Sequence, residues 1–147
     1  MPSLSYNKPY SQGEVIIMNH PQYKPHGTFQ PQSDKGIYLL REPKGIPDVL
    51  LFSKKEIQTL LFSAADILSV QGITARIVII ENTERYFAQS KEYQDSVFSD
   101  ETIVRVGVLH PDSAKQLSDL RLTCLSEDAS AAELAAAAVR LLKFNNV

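Results

Sequence analysis

The chain has 147 residues, 44% of them hydrophobic and 22% charged, with a net charge of −2. That length suits one domain able to bury about two-thirds of its unfolded surface. A chain-wide disordered composition, a basic nucleic-acid-binding surface and an apolar run long enough to span a bilayer are all excluded. The first 13 residues lack the apolar core of a signal peptide, and a single cysteine, Cys124, rules out an internal disulfide and a cysteine-cluster metal site. Cytoplasm is the default compartment, and neither a nucleic-acid nor a membrane partner is expected.

In chain order, residues 1–13 read as a polar arm rich in Ser, Tyr and Pro, and residues 14–18 (EVIIM) as a short β-prone run. Residues 19–35 carry three prolines and read as an irregular connection. The arm and connection, 1–35, are therefore set apart from a folded domain over 36–147. That domain opens with a strand at 36–41 (GIYLLR) and a turn at Glu42-Pro43-Lys44-Gly45. A second strand follows at 48–52 (DVLLF), apolar on both faces and so suited to a sheet covered by helices on each side. The short turn between these two strands predicts a hairpin.

Ser53-Lys54-Lys55-Glu56 has the S-x-x-E form of a capping box and predicts a helix to about Gln71, ended by Gly72. Ile57, Leu60, Leu61, Ala64 and Leu68 form its inner stripe at helical spacing. A strand at 73–81 (ITARIVIIE) leads to Asn82-Thr83, which can cap a short helix, and a second short helix covers 91–98. The remaining elements are a strand at 102–109, a helix from Pro111 to about Leu117, a strand at 121–125 and a helix to about Lys143. Ser130 and Glu133 form a second capping box at the start of the last helix. Strand–helix alternation predicts a mainly parallel sheet with right-handed crossovers.

Three segments carry a family resemblance. Gly36-Ile37-Tyr38-Leu39-Leu40-Arg41 with Pro47-Asp48-Val49-Leu50-Leu51-Phe52 is similar to a G-x-Y-x-L strand followed by P-[DE]-[VL]. Gly72-Ile73-Thr74-Ala75-Arg76-Ile77-Val78 leads into Asn82-Thr83-Glu84-Arg85-Tyr86-Phe87, with Gln89, Tyr93 and Ser96-Val97 beyond. This is similar to G-[IV]-x-[AV]-R-V-V, S-T-[DE]-x-F and Q-x-x-x-Y-x-x-S-V. Asp128-Ala129-Ser130-Ala131-Ala132-Glu133-Leu134 resembles E-S-A-P-A-E-L. Together they resemble the C-terminal domain of transketolases over roughly residues 36–142, and Glu14 to Met18 could echo the strand that closes the family's preceding domain. The resemblance implies a three-layer α/β/α sandwich with a five-stranded, mainly parallel sheet and one antiparallel edge strand.

Two stretches depart from the family. Its G-T-G-S-E loop here reads Phe52-Ser53-Lys54-Lys55-Glu56, without either glycine, and 110–120 replaces a longer segment rich in aromatics and glycine. In transketolases, thiamine diphosphate and magnesium are held by two other domains. The resemblance therefore implies that those cofactor sites are absent from this chain and that it is not catalytic alone. Because residues 1–12 do not resemble the family's preceding domain, the chain is read as starting at a genuine N-terminus.

Ligands of open α/β sheets collect at the carboxyl ends of parallel strands. Ser53, Lys54, Lys55, Asn82, Thr83 and His110 converge there as a candidate pocket for a small anionic metabolite, with a helix start beneath the lysines. The competing reading has Ser53 and Glu56 capping the helix while the lysines face water. His110 could act as an acid or base, or merely end a strand. His20 and His26 lack a third ligand at fixed spacing. Glu84 and Glu92 read as solvated carboxylates, and Cys124 as buried and inert. The alanine-rich helix over 131–138 suits close packing, on the home sheet or on a second subunit. Three functions follow: an interaction or oligomerisation module with a homo-oligomer or protein partner, a regulatory module for an anionic metabolite, or the C-terminal piece of a split transketolase.

Overall fold

The computed structural model describes residues 32–145. The arm, the β-prone run at 14–18 and both His20 and His26 lie outside the described residues. Within them a five-stranded sheet is formed by β1 (Ile37–Arg41), β2 (Val49–Ser53), β3 (Ala75–Ile80), β4 (Val104–Val108) and β5 (Thr123–Leu125). The strand order is β1-β3-β2-β4-β5. β2 runs parallel to both β3 and β4, and β5 runs parallel to β4. Only β1 is antiparallel, and its partner is β3.

The predicted hairpin between the first two core strands is therefore not formed. A strand has two edges, and β2 gives one to β3 and the other to β4. β1 takes the outer edge of β3 instead, pairing Ile37 with Ile80 and Leu39 with Val78. The antiparallel edge strand survives, but through a non-local pairing.

Helices cover both faces. α1 (Gln58–Val70) and α5 (Ala131–Asn145) share one side; α2 (Thr83–Phe87), α3 (Lys91–Val97) and α4 (Pro111–Gln116) serve the other. Alternation along the strands sorts the core. Val49, Leu51, Ile77, Ile79 and Val106 pack with Leu61, Leu68, Leu134 and Ala138 on the α1/α5 side. Leu50, Phe52, Val78 and Ile80 pack with Tyr86, Val97, Phe98 and Leu117 on the other. The stripe read for α1 holds at Leu61, Ala64 and Leu68, while Ile57 falls in a 3-10 turn before the helix. Full burial of a leucine such as Leu61 or Leu68 contributes about 2 kcal/mol.

The capping box before α1 is a correction. Ser53 is the last residue of β2, in register with Ile79 and Val108, and is fully buried. Its hydroxyl donates to the Lys54 carbonyl at 2.8 Å. No side chain caps the Lys55–Ile57 turn or α1. The second box does form: Glu133 N–H donates to Ser130 Oγ at 3.1 Å, and Ser130 N–H to Glu133 Oε1 at 2.8 Å.

The alanines of α5 serve the home fold. Ala135, Ala137 and Ala138 are buried with Leu134, while Ala132 and Ala136 are exposed. Cys124 is a second correction. It lies exposed at the centre of the three-residue strand β5, which is the last in the strand order among the described residues. Partial burial still pushes its thiol above the ordinary cysteine range, which keeps the reactive thiolate scarce.

Candidate functional site

At the carboxyl ends of the parallel strands, Gly36 joins β1 to β3. Its carbonyl accepts from the N–H groups of Glu81 and Asn82 at 2.8 and 3.0 Å. Gly36 has φ +89°, and a Cβ there would lie 2.3 Å from the Asn82 carbonyl oxygen, so the junction needs glycine. Asn82 starts α2, its side chain accepting from Arg85 N–H at 2.9 Å. A cleft of about 840 Å³ opens beside this junction. Its walls are the end of β3 (Ile80, Glu81), the α2 segment with Glu84, Phe87 and Ala88, and Ser113 and Gln116 of α4. The Thr83 hydroxyl donates to Gln116 Oε1 and links α2 to α4 across it.

Of the six sequence-selected residues, Asn82 and Thr83 line this cleft; Ser53, Lys54, Lys55 and His110 do not. Lys54 and Lys55 are exposed where β2 hands over to α1, on the opposite helix layer. His110 is exposed and caps α4: its Nδ1 accepts from Asp112 N–H at 3.1 Å, with the Asp112 carboxylate 3.7 Å away. The charged groups of the cleft are the carboxylates of Glu81 and Glu84, and no lysine or arginine is in its lining. The Tyr38 hydroxyl lies 3.3 Å from Glu81 Oε2. Burial, with the Glu81 charge, pushes the Tyr38 phenol up to about 12. The lining thus sets neutral amides and hydroxyls beside the negative charge of two carboxylates, and that charge is a poor match for an anion.

Sequence reasoning missed two buried arginines at the opposite end of the sheet. Arg76 on β3 and Arg105 on β4 are both in register with Leu50 of β2 and flank it. Arg76 grips Glu42 with two 2.6 Å bonds, from Nε and from a terminal guanidinium nitrogen. Its other terminal nitrogen donates to the carbonyls of Ser96 and Val97, the last of α3, at 3.1 and 2.8 Å. Arg105 donates to the carbonyls of Thr102, Leu120 and Ser99 and stacks over the Phe98 ring. Burial pulls the Arg105 pKa down, although a guanidinium stays protonated at neutral pH. The signal available was an arginine inside each of two otherwise apolar strands, at positions where only a fully bonded charge is tolerated.

The same geometry accounts for the polar pattern of the second resemblance segment. Besides Arg76, the buried Tyr86 donates to Gln94 O at 3.1 Å, and Tyr93 donates to the β1 carbonyl of Ile37 at 2.7 Å. Ser90 caps α3 by accepting from Tyr93 N–H at 3.0 Å. These residues tie α2 and α3 to the sheet. Glu84 and Glu92 are both exposed.

The architecture is that of a three-layer α/β domain with one antiparallel edge strand, and comparison with known proteins agrees. The family model of the transketolase-like C-terminal domain matches residues 36–137, and the chain belongs to that family. Transketolase 2 of Escherichia coli (strain K12) is 31% identical over 74 residues, which are 50% of this chain and 11% of that protein. The transketolase of Halalkalibacterium halodurans matches over the same length at the same identity. Solved transketolases from Pichia stipitis and Leishmania mexicana superpose on the same fold, with TM-scores of 0.63 and 0.64 and identities of 21% and 15%. They cover 78% and 76% of this chain, which spans 19% and 18% of them. No helix among the described residues is long and apolar enough to cross a membrane.

Proposed function

We propose that this domain is a non-catalytic interaction module that docks through the end of the sheet where the parallel strands begin. One observation carries the reading. Ile46 and Ile103 are each 61% exposed there, on adjoining loops. The Thr102 hydroxyl donates to Pro47 O at 3.0 Å, joining the two loops directly beside the isoleucines. Asp48 in turn bonds Thr74 through backbone and side chain, so the Ile46 loop is held from both sides. Val70, 87% exposed, closes α1 four residues before Thr74. Apolar side chains held on braced loops suit a contact surface, because docking orders little further chain. The cleft at the other end, whose charged groups are carboxylates, lends no support to an anionic metabolite.

The test places a photoreactive phenylalanine analogue at position 46 of the full chain in its native cell. A discrete cross-linked adduct that Ile103→Asp abolishes supports the module. No adduct, or one insensitive to Ile103→Asp, refutes it.

Family membership favours a second reading, a C-terminal piece of a transketolase completed by other chains. The residues for cofactor and substrate would then come from those partners. Ketol transfer that appears only when candidate partner subunits are mixed with this chain supports it; inactivity of every mixture removes it.

A further inference from the structure

The cleft at the carboxyl ends of the strands joins an apolar wall to two carboxylates. Ile80, Phe87 and Ala88 form the wall, and Glu81 and Glu84 carry the charge. Phe87 is 45% exposed although its ring packs edge-on against the buried Tyr86, with centroids 5.2 Å apart. Neither carboxylate makes an ion pair with a described residue. The cations nearest in sequence, Arg85 and Lys115, are exposed and lie outside the lining. At about 840 Å³ the cleft falls in the range of small-molecule sites, about 300–1,000 Å³. Its walls are fixed without a ligand. Gly36 O holds the Glu81 and Asn82 N–H groups, Asn82 caps α2, and the Thr83 hydroxyl ties α2 to Gln116 of α4. A ligand would therefore order little further chain. The sign of its charge follows from the lining. An anion meets two like charges, and a neutral molecule gains only hydrogen bonds and apolar contact. A cation gains both carboxylates and the face of an aromatic ring.

We propose that the cleft binds a small organic cation, an ammonium ion on an apolar or aromatic body. The ammonium group pairs with the carboxylates of Glu81 and Glu84, and the body lies against Phe87 and Ile80. This site goes beyond the interaction-module reading and does not depend on it, because the cleft is at the other end of the sheet from Ile46 and Ile103.

The experiment titrates the full, nitrogen-15-labelled chain at neutral pH and fixed ionic strength with three matched probes. These are 2-phenylethylamine, a cation; 2-phenylethanol, its neutral counterpart; and 3-phenylpropanoate, an anion. The amine should give saturable amide shifts confined to residues 80–88, Ser113 and Gln116. The alcohol should bind about tenfold more weakly, and the carboxylate should give no saturable shift. Glu81→Gln and Glu84→Gln should each weaken the amine about three- to fivefold and leave the alcohol unchanged. Phe87→Ala should weaken amine and alcohol alike. All three changes are at exposed positions, and unchanged far-ultraviolet circular dichroism confirms that the fold persists. Amine shifts that do not saturate, or that fall elsewhere on the chain, overturn the proposal. So does a carboxylate or alcohol that binds as tightly as the amine, or an amine affinity that neither glutamine variant lowers. None of these results bears on the cross-link at residue 46, so the cleft and the module stand or fall separately.

Discussion

Removing the Arg76 guanidinium while keeping its aliphatic stem, as Arg76→Met, should destabilise the domain by about 3 kcal/mol. Three groups lose their donor. The Glu42 carboxylate loses two bonds of 2.6 Å, but its side chain is 34% exposed, so water recovers part of that loss. The Val97 carbonyl loses a 2.8 Å bond between buried groups, and the Ser96 carbonyl a bond of 3.1 Å. A stranded buried carbonyl costs about 1–3 kcal/mol. Glu42→Gln leaves the guanidinium its two carbonyls and should cost about half as much. Because the partners touch, the two changes should not add: the double variant should be more stable than the sum predicts by at least about 1 kcal/mol. Urea unfolding at neutral pH measures all four proteins. With a slope near 2 kcal/mol/M, Arg76→Met moves the midpoint down by about 1.5 M. A loss below about 1 kcal/mol for Arg76→Met, or strict additivity with Glu42→Gln, would show that Arg76 is not the tie it is drawn to be.

Gly107→Ala should be more damaging than an ordinary strand substitution. Its Cβ would lie 2.0 Å from the Phe52 carbonyl oxygen and 2.6 Å from the Phe52 ring, so β2 and β4 must separate. A loss of at least about 3 kcal/mol in urea unfolding is expected, and a near-neutral result contradicts the register. Tyr38 has its phenol raised from 10.0 to about 12, so the fold favours the protonated form. That contribution is complete below pH 10 and is lost as pH climbs towards 12. The urea midpoint should fall across this window, less steeply in Tyr38→Phe; equal slopes in the two proteins refute the assignment. Cys124 should react with a thiol reagent in the native state, one group per chain, and more slowly than in the unfolded chain. Labelling that waits for denaturant would place the thiol in the core.

Much of the fold was legible because it is local. The strands announced themselves as short apolar runs, the α1 stripe as a 3.6-residue period, and the Ser130–Glu133 cap as two side chains three residues apart. Such signals depend on a few neighbours in the chain. The capping box at Ser53 carried the same pattern and failed. Pairing with Ile79 and Val108 extends β2 through that serine and buries it before a helix can begin.

The candidate pocket was only partly legible. Asn82 and Thr83 line a cleft at the strand ends, but Lys54 and Lys55 follow β2 into the α1/α5 layer, whereas Asn82, Thr83 and α4 belong to the other. Which loops meet depends on which face each crossover covers. That is decided by strand order, and strand order is decided by competition for the two edges of β2.

The sequence by itself determined the class of fold, the family and the helix and strand content, since these follow from periodicity and from residue patterns within short windows. Tertiary structure alone decided that β1 pairs with β3 rather than β2, that Cys124 is exposed on β5 rather than buried, and that two arginines are held inside the sheet. It alone also set Ile46 beside Ile103, and the cleft among carboxylates. Each of these joins groups distant in the chain, whose meeting depends on packing free energy summed over the whole core rather than on any one segment's preference.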